Sequence, residues 1–234
     1  MDGVNVFLTL VAFSHKSHGS IRTLPIFQAT YGGYYLAAGA EFFAKDFAPN
    51  PDVFAAKVAH QFLYGAQMGW FSLGGRDNQS PYMGIYTELL DPAYDAEIEY
   101  LQRLSEAKVT AQGWLTHGRA MRPVPLVING TRSHAAAVPC QAWLDDAGET
   151  LLVAITTVQR YSPAFSLEFT IDMARFGFPK VDSSQVFEVA RLGPGGAREP
   201  QGSFKASAVS FKGVLAARDV LMLVISKANL GMLA

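Results

Sequence analysis

The order of apolar and polar positions changes character about halfway along the chain. Val4 to Ala12 is an apolar run broken only by Asn5 and Thr9, and Leu24 to Thr30 reads as a second strand, each followed by polar or glycine-rich residues. Runs of this kind fit strands buried on both faces, as in parallel sheets. Asn50-Pro51-Asp52 then predicts a helix start, with Asn as cap, Pro in the first helical position and Asp in the first turn. Phe54, Val58, Phe62 and Ala66 recur every four residues, which predicts one buried face, and Gly69 is the expected stop. Trp70 to Leu73 reads as a short buried strand ended by Gly74-Gly75. Asp91-Pro92 opens a second helix by the same logic. Ile98, Leu101, Leu104 and Val109 mark its inner side, and it runs to about His117, with Gly118 beyond.

Past Arg122-Pro123-Val124-Pro125, a stiff linker, the period becomes two. Phe165, Leu167, Phe169, Ile171 and Met173 alternate with Ser166, Glu168, Thr170 and Asp172, the pattern of a half-buried strand. Ala142 to Leu144, a turn through Gly148, and Thr150 to Val158 predict a hairpin. Gln185 to Leu192, Ala206 to Phe211 and Val220 to Ser226 are further strands, and Gly193-Pro-Gly-Gly196 is a turn between two β segments. Short strands separated by turn clusters predict an antiparallel β-sandwich.

The two halves thus predict α/β plus all-β architecture. Residues 1–122 read as the last βα units of a (β/α)8 TIM-type barrel, with aromatic and polar residues crowded past the carboxyl ends of the strands. Residues 123–234 read as the β-sandwich. A chain that opens on a core strand implies a missing N-terminal barrel segment, needed to cover the exposed sheet edges. On that reading the whole chain is expected to be poorly soluble alone, and the segment from about 123 soluble.

Composition narrows the partners. Half of the 234 residues are hydrophobic, 17% are charged, and the net charge is −1. No basic stripe points to nucleic acid. The run from Val4 to Phe13 is too short to span a membrane and lacks the basic start of a signal peptide. The compartment stays open. The single cysteine, Cys140, excludes an intrachain disulfide and reads as a structural thiol inside a strand. His15 and His18 form an H-x-x-H in a loop with no third ligand nearby, so no metal site is expected. No G-x-S-x-G elbow or P-loop is present.

Three segments carry a resemblance: Pro25-Ile-Phe-Gln-Ala-Thr-Tyr-Gly-Gly-Tyr34, Phe62-Leu-Tyr-Gly-Ala-Gln-Met-Gly-Trp-Phe71 and Gly118-Arg-Ala-Met-Arg-Pro123. In them the chain resembles the carboxyl-terminal part of bacterial glycoside-hydrolase-like barrel proteins, where a last barrel strand and a long helix lead into a β-sandwich. The resemblance implies a carbohydrate substrate and glycosidase activity if the intact barrel is present, with no cofactor. It supplies no catalytic motif for particular positions.

Most glycosidases use two carboxyl groups flanking the scissile bond. By placement, the candidates are Asp77, directly after Gly74-Gly75-Arg76, and Glu41, in the loop after the second strand. Each also reads as an ordinary surface carboxylate. Glu88 and Asp91 are weaker, since Asp91 is explained as a cap. Arg76 fits a sugar hydroxyl or a partner for Asp77. Tyr31 and Tyr34, in a glycine-rich turn, fit stacking on a sugar face or packing at the barrel rim, and Gln28 is a further contact candidate. The alternative is a carbohydrate-binding or structural module with no catalysis of its own.

Overall fold

The computed structural model describes residues 51–66, 92–132, 137–182 and 184–228. The expected parallel strands at Val4–Ala12, Leu24–Thr30 and Trp70–Leu73 lie outside these residues. Helix α1 spans Pro51–Leu63 and buries Phe54, Val58 and Phe62, the stripe that the spacing predicts. It ends earlier than Gly69. Gly65 adopts a left-handed φ of 68°, its N–H reaches the Phe62 carbonyl at 3.0 Å, and Ala66 N–H reaches Gln61 at 2.9 Å. This paired closure is the Schellman stop. Gly65 is also needed for space, because a Cβ there would sit 2.2 Å from the Leu115 carbonyl oxygen.

The second helical segment comes in two pieces. A 3-10 turn at Pro92–Tyr94 leads into α2 (Asp95–Thr110), and Ala111 separates it from α3 (Gln112–His117). The buried stripe of α2 is Glu97, Tyr100, Leu104 and Ala107. Val109, expected on the inner side, is 74% exposed. The face is rotated because Tyr100 and Glu97, not Ile98 and Val109, lie against the rest of the protein.

Ten strands follow. β1 is Arg119–Met121, β2 Val127–Ile128, β3 Thr131–Arg132, β4 Cys140–Leu144 and β5 Thr150–Thr156. β6 is Phe165–Ile171, β7 Val186–Leu192, β8 Arg198–Lys205, β9 Val209–Leu215 and β10 Val220–Lys227, with a short helical turn α4 at Met173–Phe176. Six of them form a sheet in the order β1-β4-β5-β10-β7-β8, and the others form a second sheet, β3-β2-β6-β9. Among the described residues all pairings are antiparallel. β6 alternates buried and exposed along its length, as its sequence predicts. Ala206–Ala208, expected to be strand, is instead a 3-10 turn that leads into β9.

Sheet periodicity divides the core in two. Leu151, Val153 and Ile155 of β5 and Leu223 and Ile225 of β10 face the second sheet, where they meet Leu167, Phe169, Val209 and Phe211. The intervening residues Leu152, Ala154, Met222 and Val224, with Trp143 of β4, face the helices and meet Phe54, Phe62, Tyr100 and Leu104. The central strands β5 and β10 are therefore buried on both sides, which is why they are nearly continuous apolar runs. The protein has mixed α and β layers with antiparallel sheets. β1 lies before the Arg122-Pro-Val-Pro segment, yet it pairs with β4 beyond it.

This packing reverses one expectation. A fragment from residue 123 onward would expose Trp143, Leu152, Met222 and Val224, which the helices cover. A contiguous apolar face of that kind drives association. The fragment should therefore aggregate or bind an apolar dye strongly. A monodisperse fragment with a cooperative melt would contradict the layer arrangement.

Candidate functional site

Gln28, Tyr31, Tyr34, Glu41, Arg76 and Asp77 all lie outside the described residues, as do His15, His18, Glu88 and Asp91. The described residues instead show how the helix lying between Glu41 and Asp77 in sequence is held. α1 begins ten residues after Glu41 and its closing turn is complete eleven residues before Asp77. Both of its ends are fastened by side chains from later in the chain.

The first end is fastened by charge. Arg218, only 5% exposed, sits in the turn before β10 in a left-handed conformation with φ 51°. Its Nη2 donates to Asp52 Oδ1 at 2.9 Å and to Glu97 Oε1 at 3.2 Å. Glu97 is fully buried, and Arg160 Nε lies 3.7 Å from its Oε1. Arg160 also donates its backbone N–H to Asp52 Oδ1 at 3.0 Å and its Nη2 to the Ala93 carbonyl at 2.9 Å. One arginine from the sheet thus ties the first turn of α1 to the first turn of α2. The Asp52 carboxylate also complements the positive end of the α1 dipole. Burial pulls the Arg218 guanidinium below its usual value, and Asp52 and Glu97 oppose that shift.

Neutral hydrogen bonds extend the cluster. The Arg218 guanidinium lies 5.5 Å from the Tyr100 ring centroid. Thr156 Oγ1 donates to the Asp219 carbonyl at 2.8 Å, so its one proton is used. Tyr100 must then be the donor in its 2.6 Å contact with Thr156 Oγ1. Thr157 donates to the Ala216 carbonyl at 2.6 Å and accepts from Asp219 N–H at 3.0 Å. Arg103 donates to the Arg218 carbonyl at 3.1 Å. These bonds fix the turn that presents Arg218. Burial raises the Tyr100 phenol well above its ordinary value, keeping it a neutral donor.

The second end is held by two donors on freed carbonyls. Trp143 Nε1 donates to Leu63 O at 2.8 Å from the floor of the sheet. Lys108 Nζ donates to Ala66 O and lies 3.4 Å from Gly65 O. Burial lowers the Lys108 ammonium from 10.5 to about 8. A cation and an indole N–H at a helix C-terminus satisfy carbonyls that the helix itself leaves unbonded.

Elsewhere, Cys140 is half-buried in β4 and burial pushes its thiol up to about 12, so it stays protonated at neutral pH. Among the described residues no cluster of His, Cys, Asp or Glu is arranged to hold a metal ion. No described helix is long and apolar enough to cross a membrane. A groove of about 470 Å³ lies between α2 and the β7–β8 turn.

Sequence reasoning passed over Glu97, Arg160 and Arg218. One signal was available. Glu97 stands on the stripe with Tyr100 and Leu104, at i, i+3 and i+7, and a carboxylate at an inward-facing position requires a buried cation. Which cation answers it is a matter of tertiary structure, since Arg218 lies 121 residues away.

No family model matches the sequence. A Monosiga brevicollis protein named "Putative glycoside hydrolase 22789" is 33% identical over 192 residues, covering 73% of this chain. The chain spans only 16% of that protein's length. The relative is from a eukaryote, not a bacterium. Among solved structures, a glycoside hydrolase aligns with a TM-score of 0.42 and 12% identity over 92% of this chain and 50% of its own. A family 5 glycoside hydrolase from Bacteroides vulgatus aligns at TM-score 0.41 and 14% identity over 76% of this chain and 36% of its own. In sequence the chain is glycoside-hydrolase-like over the span of its match to the Monosiga protein.

Two outcomes follow from the fastening of α1. Replacing Arg218 by Met removes the nearer of the two cations beside the buried Glu97 and leaves Arg160 at 3.7 Å, which should cost about 3 kcal/mol in denaturant unfolding. Adding Glu97→Met to that variant should restore much of the loss. A single substitution within 1 kcal/mol of wild type, on the order of a surface pair, would contradict the assignment.

Lys108 gives a pH test. Its folded value is depressed, so between about pH 8 and 10.5 the unfolded chain holds more protons and stability due to this residue rises with pH. Below about pH 8 the cost of burying the charge is fully present. The Tm of wild type should therefore gain on that of Lys108→Met as pH rises through this window, and a constant gap would contradict it.

Proposed function

We propose that this chain is the carboxyl-terminal part of a glycoside-hydrolase-like protein that acts on carbohydrate. The 33% identity over 192 residues with a protein of that name is the observation that carries the reading. In the finer form, residues 1–122 are the last βα units of a (β/α)8 barrel and residues 123–234 an antiparallel β-sandwich packed on it. Two antiparallel sheets facing one another across a shared core support the second part. The remaining barrel strands come from a preceding segment of the intact protein.

The chemistry proposed is hydrolysis of a glycosidic bond by paired carboxyl groups. Asp77 and Glu41 are the carboxylates, one protonating the leaving oxygen and the other acting as base or nucleophile. Arg76 and Gln28 hold sugar hydroxyls, and Tyr31 and Tyr34 stack on sugar faces. The helix fastened by Arg218 and Lys108 lies in sequence between the two carboxylates, so its rigid attachment serves their spacing.

A second reading is supported by the same fastening. A helix held at both ends by Trp143, Arg160 and Arg218 suits a β-rich module that braces a neighbouring domain and catalyses nothing.

Turnover separates the two. Asp77→Asn, in a protein carrying the whole barrel and assayed on a panel of p-nitrophenyl glycosides, should lose on the order of 100-fold or more in kcat. Near-normal turnover would remove Asp77 from any acid or base role. Absence of turnover in the unaltered protein would favour the bracing reading.

A further inference from the structure

We propose that the groove between α2 and the β7–β8 turn binds a neutral oligosaccharide; the ligand class rests on the carbohydrate reading above. The groove is formed without any residue assigned to catalysis, and its volume of about 470 Å³ is within the range of small-molecule sites.

The walls set the ligand's charge. Arg103 of α2, Arg191 of β7 and Arg198 of β8 line the groove together with Glu106, Glu199 and Asp219. Three guanidinium groups face three carboxylates, so the groove has no net field to select an anion or a cation. Arg191 and Arg198 make no ion pair among the described residues, although Arg191 stands opposite Glu199 in the strand register. The lining therefore offers both hydrogen-bond donors and acceptors. A sugar hydroxyl is both a donor and an acceptor, and vicinal hydroxyls match the fork of a guanidinium or a carboxylate.

The floor sets the ligand's shape. Leu192 and Met222 are buried beneath the charged rim. An apolar floor under a polar rim suits a ring that presents C–H bonds on its face and hydroxyls at its edge.

The walls are also preorganised. Arg103 is tied to the Arg218 carbonyl at 3.1 Å. The β7–β8 turn is closed by a 2.8 Å bond from Gly193 N–H to Ala197 O.

The test is isothermal titration of the full chain with cellohexaose, xylohexaose and mannohexaose as neutral probes and trigalacturonate as an anionic comparator. At least one neutral probe should bind. Arg191→Met combined with Glu199→Gln should weaken that probe by at least about tenfold with an unchanged melting temperature. If the double variant melts early, Arg198→Met on the exposed edge strand replaces it, with the same loss expected. Equal affinity in the variant would overturn the groove and leave the carbohydrate reading standing. Binding of trigalacturonate alone would overturn the neutral ligand. Uptake of no probe would overturn the groove, while the carbohydrate reading is decided separately by turnover of p-nitrophenyl glycosides.

Discussion

One guanidinium joins the layers of this protein. Arg218 leaves the tight turn that leads into β10, a central strand of the six-stranded sheet, and bonds the first turns of two helices through Asp52 and Glu97. Apolar packing alone would press the helices against the sheet without fixing their position along it, because burial of apolar area is not directional. The ion cluster is directional. Its geometry favours one placement of α1 and α2 relative to β5 and β10, and departure from it takes the nearer of two cations away from the buried Glu97 carboxylate. Whether such a cluster adds net stability over an apolar replacement is a separate matter from the register it specifies.

The rest of the architecture follows from that placement. With the helices set, the sheet face carrying Trp143, Leu152 and Val224 is closed, and the opposite face is closed by the second sheet. The far end of α1 then falls where Trp143 and Lys108 reach its free carbonyls. Gly65 allows this close approach, since any side chain there would collide with Leu115. The chain thus enters and leaves α1 at fixed points, and the proposed catalytic loops are attached to those points in sequence.

Much of this was legible in residue order, and the failures have physical causes. Pro51, Asp52 and the Phe54, Val58, Phe62 spacing predict α1 because the helix has one apolar face against one apolar surface. β6 is equally plain, since one of its faces is solvent. Val109 misleads because the inner face of α2 includes Glu97, a residue that apolar periodicity discards. β8 escapes notice because Arg198 to Lys205 is almost wholly exposed. As an edge strand it is held by backbone bonds to β7, with a bulge near Val189 and Ala190, and its side chains show no apolar period. The fastening cluster is the least legible part, since Asp52 and Arg218 are 166 residues apart. The candidate site residues Glu41 and Asp77 rest on sequence placement alone.

Native-state hydrogen exchange reads the coupling between helices and sheet amide by amide. If Arg218 makes helices and sheet one cooperative unit, the inner amides of α1 and α2 will exchange with the same opening free energy as those of β5 and β10. Helix amides that open at much lower free energy, while β5 and β10 stay protected, would show that the helices are held loosely and that Arg218 does not unite them with the sheet.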